Sequence, residues 1–160
     1  MCVRLNNQPM SLFENSPCGK YIAFRGEYGY IHILSTKSKE LVCQLKMNGS
    51  VNAITFSHNG AYLYSFGDDA MVYVWDMSSL QCIHRFRDEG CLNGTSICTD
   101  ELNNLLACGS ESGVVNIYKS SDIMTSSDPK PVKVVNNLVT ACTSARFNPS
   151  AQLLALSSSL

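Results

Sequence analysis

The chain has 160 residues, is 45% hydrophobic and 16% charged, and carries a formal net charge of −1. That balance excludes a disordered chain, and no apolar run approaches the roughly 18 residues a membrane-spanning helix needs. Near-neutrality with scattered Lys and Arg also excludes broad neutralisation of nucleic-acid phosphates by these residues alone.

Met1–Met10 is polar, with Arg4 and the run Asn6-Asn7-Gln8-Pro9, and has no apolar h-region of a secretory signal. A first strand is expected at Ser11–Asn15, then the turn Ser16-Pro17-Cys18-Gly19 and a second strand at Lys20–Arg25. Cys18 is read as a tolerated turn residue. After a third strand ending in Leu34-Ser35, the tip Thr36-Lys37-Ser38-Lys39 leads to an outer strand at Glu40–Lys46. Val51–Phe56, Ala61–Phe66, Met71–Asp76 and Gln81–Phe86 form the clearest set. Ser57-His58-Asn59-Gly60 and Gly67-Asp68-Asp69 separate the first three as antiparallel turns. The junction Arg85-Phe86-Arg87-Asp88-Glu89-Gly90 carries both signs of charge. Beyond it come Thr95–Thr99, the turn Asp100–Asn104 and the paired run Leu105–Lys119. Ser120–Pro131 is rich in Ser, Asp and Pro and reads first as a mobile surface loop, second as a partner contact. Val132–Val135 then supplies an outer strand, and Cys142–Phe147 and Gln152–Ser157 begin a further copy.

Sliding the chain against itself places Tyr21–Ser35 and Leu105–Lys119 under Tyr62–Asp76, with Gly26 beneath Gly67 and the apolar positions kept. Four strands in a period of about 40–45 residues are the signature of a β-propeller of WD repeats, and Ser120–Pro131 stretches the third copy to about 50. Only Trp75-Asp76 keeps the dipeptide that names the repeat; Leu34-Ser35 and Tyr118-Lys119 replace it. The expected fold is all-β, a partial WD-repeat propeller of antiparallel four-stranded blades. Its blades are placed at about 11–46, 51–87 and 92–135, with a half-blade at 141–158. A closed propeller has typically about 4–8 blades, so the sequence reads as a fragment of a longer protein that exposes apolar sheet faces and edges.

In typical WD blades a hydrogen-bonded set of Trp, Ser or Thr, Asp and His ties the third strand to the second and to the loop before the first. Trp75, Ser65 and Asp69 stand at the matching positions, whereas Lys46-Met47-Asn48-Gly49 lacks the His. A partial network is expected in this blade and none in its neighbours. Trp75 is read as structural.

The eight cysteines contain no C-x-x-C pair, which argues against zinc and for free thiols in a reducing compartment. P-loop, G-x-S-x-G and H-E-x-x-H motifs are missing, and His32, His58 and His84 have no patterned carboxylate or Cys beside them. No catalytic residue, cofactor, metal, membrane or small-molecule substrate is expected.

GYIHILSTKSKELVCQLKMNG, RFRDEGCLNGTSI, ACGSESGVVNIY and DPKPVKVVNNLVTACTSARFNPSAQLLALSS resemble the C-terminal propeller of the U3 small nucleolar RNA-associated protein 18 family, from about Ser11 to Ser158. The resemblance implies a non-catalytic scaffold subunit of the nucleolar small-subunit processome, acting in pre-18S rRNA processing and ribosome biogenesis. Its implied partners are other processome proteins and, through the particle, U3 small nucleolar RNA and pre-rRNA. Arg85, Arg87, Asp88 and Glu89 at the junction, with Asp122 and Lys130 in the long loop, are the candidate contacts. The alternative is a WD-repeat adaptor that receives a substrate or peptide in another intracellular complex.

Overall fold

The computed structural model describes residues 12–159. The opening segment Met1–Met10 and the first residue of the strand expected at Ser11–Asn15 lie outside the described residues. The rest folds into three four-stranded antiparallel sheets and one two-stranded sheet. The first sheet is β1 (Phe13–Asn15), β2 (Tyr21–Arg25), β3 (Tyr30–Ser35) and β4 (Leu41–Lys46). The second is β5 (Val51–Phe56), β6 (Tyr62–Gly67), β7 (Met71–Asp76) and β8 (Gln81–Arg87). The third is β9 (Gly94–Thr99), β10 (Leu105–Ser110), β11 (Val115–Lys119) and β12 (Lys133–Val135), and the fourth pairs β13 (Cys142–Phe147) with β14 (Leu154–Ser158). This is the all-β architecture of a partial WD propeller.

The turns follow from local chemistry. In the second sheet Asn59 Oδ1 accepts from Ala61 N and Ser57 Oγ, and Gly60 takes φ +71°. Asp76 accepts from Ser78 Oγ at 2.6 Å and Ser79 N at 2.9 Å, which fixes the return into β8 and holds its carboxyl well below the usual range. The last strand begins at Leu154 and not at Gln152. Asn148 Oδ1 caps Leu153 N at 2.8 Å and Ala151 sits at φ 57°, so the turn consumes the residues expected to open the strand.

The main correction concerns Ser120–Pro131. Ser120–Thr125 is a short helix, α1, and its Ile123 is fully buried. Ile123 joins Phe66, Phe86 and Tyr118 in one cluster, with Met124 packed against it. His84 Nε2 also lies 2.9 Å from the Ser126 carbonyl, tying the end of the helix to the outer strand of the second sheet. The segment is therefore a packed plug between two sheets. Asp122 in the first turn suits the positive end of a helix. Replacing Ile123 with Ala is expected to cost about 2 kcal/mol, the low end for a buried Ile because a surface helix can settle inward; urea denaturation of the variant reads it.

Three apolar layers fill the spaces between sheets. Ile31, Ile33, Leu45, Leu63, Tyr73 and Trp75 lie between the first and second. Phe66, Val72, Val74, Phe86, Leu106 and Tyr118 lie between the second and third. A smaller set including Cys98, Val115, Ile117 and Cys142 separates the third from the fourth. Strands β5, β6 and β7 of the second sheet are buried on both faces, which explains their near-continuous apolar runs; each fully buried Val, Leu or Phe there contributes roughly 1.5–3 kcal/mol. Gly94 permits a close approach of the second and third sheets, since a Cβ there would overlap the Phe66 ring.

The innermost strands are also stitched by side chains. Thr99 Oγ1 donates to the Phe56 carbonyl at 3.0 Å, Asn52 Nδ2 to the Gly94 carbonyl at 2.9 Å and Thr95 Oγ1 to the Cys142 carbonyl at 2.6 Å. Each joins one sheet to the next, so every interface carries a polar clamp besides its apolar layer, except that the described residues show none of this kind between the first and second sheets. Arg146 Nη1 lies 3.8 Å from Glu14 Oε1, linking the first and fourth sheets.

Candidate interaction surface

The Trp75 set forms in part and is completed by a residue outside it. Trp75 Nε1 donates to Ser65 Oγ at 2.8 Å across the β6–β7 pair. Asp69 does not reach that pair. Its Oδ2 accepts from the Tyr73 hydroxyl at 2.8 Å and its Oδ1 from Met71 N at 3.0 Å. The Tyr73 hydroxyl in turn accepts from Asn48 N at 3.3 Å. Tyr73 thus connects Asp69 to the loop before β5, the role that the missing His was expected to leave empty. Its ring stacks on Trp75 with centroids 5.8 Å apart. The signal was available: two residues before Trp75 on a strand means the same face.

A neighbouring sheet has its own network, against expectation. The Tyr118 hydroxyl donates to Asp88 Oδ1 at 2.6 Å, and Asn116 Nδ2 donates to the same oxygen at 2.9 Å. Asn116 Nδ2 also reaches the Glu89 carbonyl at 2.8 Å, and Glu89 N donates to the Tyr118 hydroxyl at 3.0 Å. Tyr118 occupies the place of Trp75 in its repeat, so a phenol replaces the indole and recruits its acceptor from the preceding junction.

This network corrects the reading of Asp88 as an exposed contact: it is 1% exposed. Burial pushes its carboxyl pKa up, opposed by the hydrogen bonds from Tyr118, Asn116 and Cys91. The other candidates are at the surface in different settings. Glu89 Oε1 pairs with Lys130 Nζ at 3.2 Å, so the junction and the plug are brought together. Lys130 also lies 3.6 Å from Asp128 Oδ2. Asp122 is half-buried in α1 and accepts from Ser121 Oγ. Arg85 and Arg87 are exposed and take part in none of the ion pairs among the described residues. Because Lys130 stands in open solvent, screening leaves its pair with little influence. Lys130→Ala is expected to leave the thermal midpoint unchanged within error, as differential scanning fluorimetry would show.

The seven described cysteines are free. Burial raises Cys91 and Cys98 to about 12, so these thiols behave as small apolar groups. Cys18 is exposed, and its bond to the Ser16 hydroxyl lowers its pKa. Among the described residues there is no group of three or more His, Cys, Asp or Glu able to hold a metal ion.

The family described as WD domain, G-beta repeat matches residues 39–76. Over nearly the whole chain the similarity is to proteins called U3 small nucleolar RNA-associated protein 18 homolog. The mouse protein is 43% identical over 154 residues, covering 96% of this chain and 28% of that relative. The human protein is 46% identical over 146 residues, covering 91% and 26%, and that of Arabidopsis thaliana 44% over 151, covering 94% and 28%. Nearly the whole chain is thus similar to a part of the U3 small nucleolar RNA-associated protein 18 family's members. It spans little more than a quarter of the length of these relatives. The residues matched as a WD repeat run from the end of the first sheet to Asp76, so they include the Trp75–Ser65 bond and the Tyr73–Asp69 link.

Proposed function

We propose that this chain is a non-catalytic scaffold segment of the small-subunit processome, acting in nucleolar pre-18S rRNA processing and ribosome biogenesis. The observation that carries the reading is the 43–46% identity to three relatives named for association with U3 small nucleolar RNA. The architecture suits the role: stacked sheets hold a rigid body while junctions and the α1 plug present polar side chains around it. Contact falls on Arg85, Arg87, Glu89 and Lys130, which are exposed, with Asp122 at the edge of that area. Asp88 has no part in it, being occupied by Tyr118 and Asn116. The blades run at about 11–46, 51–87, 92–135 and 141–158 within one propeller. U3 RNA and pre-rRNA are reached through other subunits, because a net charge of −1 provides little for phosphate.

Affinity purification of the tagged full-length protein carrying this chain tests the reading. Co-purification of U3 RNA and processome subunits, with nucleolar staining, is the expected result. A protein that purifies without them and lies outside the nucleolus would overturn it, in favour of an adaptor in another complex.

A further inference from the structure

The outer strand of the second sheet lines a groove of about 490 Å³ beside the Trp75 network. Tyr73 and Trp75 of β7 lie along it, and Ile83 of β8 faces it while remaining 46% exposed. Lys46 and Arg85 supply positive charge and His84 a third basic group, while no Asp or Glu lines the groove. Lys46 is held by neutral groups: its ammonium donates to the Tyr28 carbonyl and stands 4.9 Å from the Tyr30 ring centre. Arg85, opposite Tyr73 in the β7–β8 register, has no carboxylate in the ion pairs of the described residues. The nearest acid along the chain from Ser127 on the lining, Asp128, is turned to Lys130.

Two unneutralised cations flanking an exposed aliphatic side chain select their complement. We propose that this groove docks an acidic, extended peptide segment of another protein, with carboxylates against Arg85 and Lys46 and an apolar residue against Ile83. A guanidinium takes a carboxylate in a two-pronged bond, and β8 ends its sheet, an edge to which an extended segment can add. The pocketed apolar contact supplies affinity while the flanking charges set orientation and partner choice. A nucleic acid is disfavoured because the aromatic pair is buried and offers no free face for a base. The proposal deepens the scaffold reading by naming one surface and partner class, and the two fail separately, since peptide capture by this chain does not depend on assembly of a particle.

Selection of a random peptide display library on the full chain, followed by fluorescence-polarisation titration of the most enriched peptide, tests it. Enriched sequences are expected to carry clustered Asp or Glu beside a bulky apolar residue. Arg85→Glu is expected to weaken that peptide by about tenfold or more, Arg85→Gln by less, and Ile83→Ser measurably, whereas Lys37→Glu, the same charge change on an exposed turn elsewhere, leaves it unchanged. All three positions are exposed, and thermal melts confirm that the variants fold. No enrichment, enrichment without acidic residues, or equal weakening by Lys37→Glu overturns the proposal. Displacement of the peptide by oligouridylate, with the oligonucleotide itself losing affinity in Arg85→Glu, overturns it in favour of a nucleic-acid ligand.

Discussion

Trp75→Ala is expected to destabilise the chain by about 3–5 kcal/mol, the range for removing a fully packed Trp. The side chain is 4% exposed and sits in the apolar layer shared by the first two sheets. Its loss opens a cavity there, removes the stack with Tyr73 and leaves Ser65 Oγ buried without its donor. Trp75→Phe separates these effects. It keeps most of the volume, so the remaining cost, about 1–3 kcal/mol, reports the orphaned hydroxyl. Guanidinium denaturation followed by far-UV circular dichroism measures both; a Trp75→Ala cost below that of Trp75→Phe would sink the packing account. Since ordinary domains are stable by only about 5–15 kcal/mol, the alanine variant stands near the limit of folding.

The second large effect falls on Asp88. Asp88→Ala is expected to cost about 2–4 kcal/mol, because the Tyr118 hydroxyl loses its acceptor inside the molecule and Asn116 keeps only the Glu89 carbonyl. One carboxylate oxygen, Oδ2, lacks a hydrogen-bond partner, so the native charge is imperfectly compensated. The pH dependence follows from the raised folded pKa. A carboxyl that binds its proton more tightly when folded contributes full stability below its unfolded pKa of about 3.9 and loses it as pH climbs through the folded value. Asp88→Asn, which cannot ionise, is therefore expected to gain on the parent as pH rises from about 4 to 7. Paired thermal melts across that range check the sign; a gap that widens against the variant as pH rises would contradict the assignment of burial as the dominant cause.

Among the surface candidates, sequence separated the residues but not their environments. Arg85, Asp88 and Glu89 read alike as a charged junction, yet one borders a groove, one is sealed under a phenol and one pairs with Lys130. Nothing local distinguishes them, because the deciding partners, Tyr73, Tyr118 and Lys130, come from other strands or from the plug. Ser120–Thr125 shows the same limit from the other side. Its Ser and Asp content has the composition of a loop, and six residues are too few for helical periodicity to register. The pair Ile123-Met124 was its one apolar signal, and only the gap between two sheets gives that pair somewhere to go.

What the sequence determined by itself was the repeat: alternating runs, turn residues and the recurring spacing set the strands, their antiparallel pairing and the order of the sheets. These depend on neighbours within a few tens of residues, where period-two burial and turn chemistry act directly. The tertiary structure alone decided which polar groups share a network, that Tyr73 and Tyr118 complete what the missing His and Trp leave open, and where charge remains uncompensated. Those outcomes rest on hydrogen bonds and desolvation between segments far apart in the chain, and a side chain's polarity does not reveal which distant atom will satisfy it.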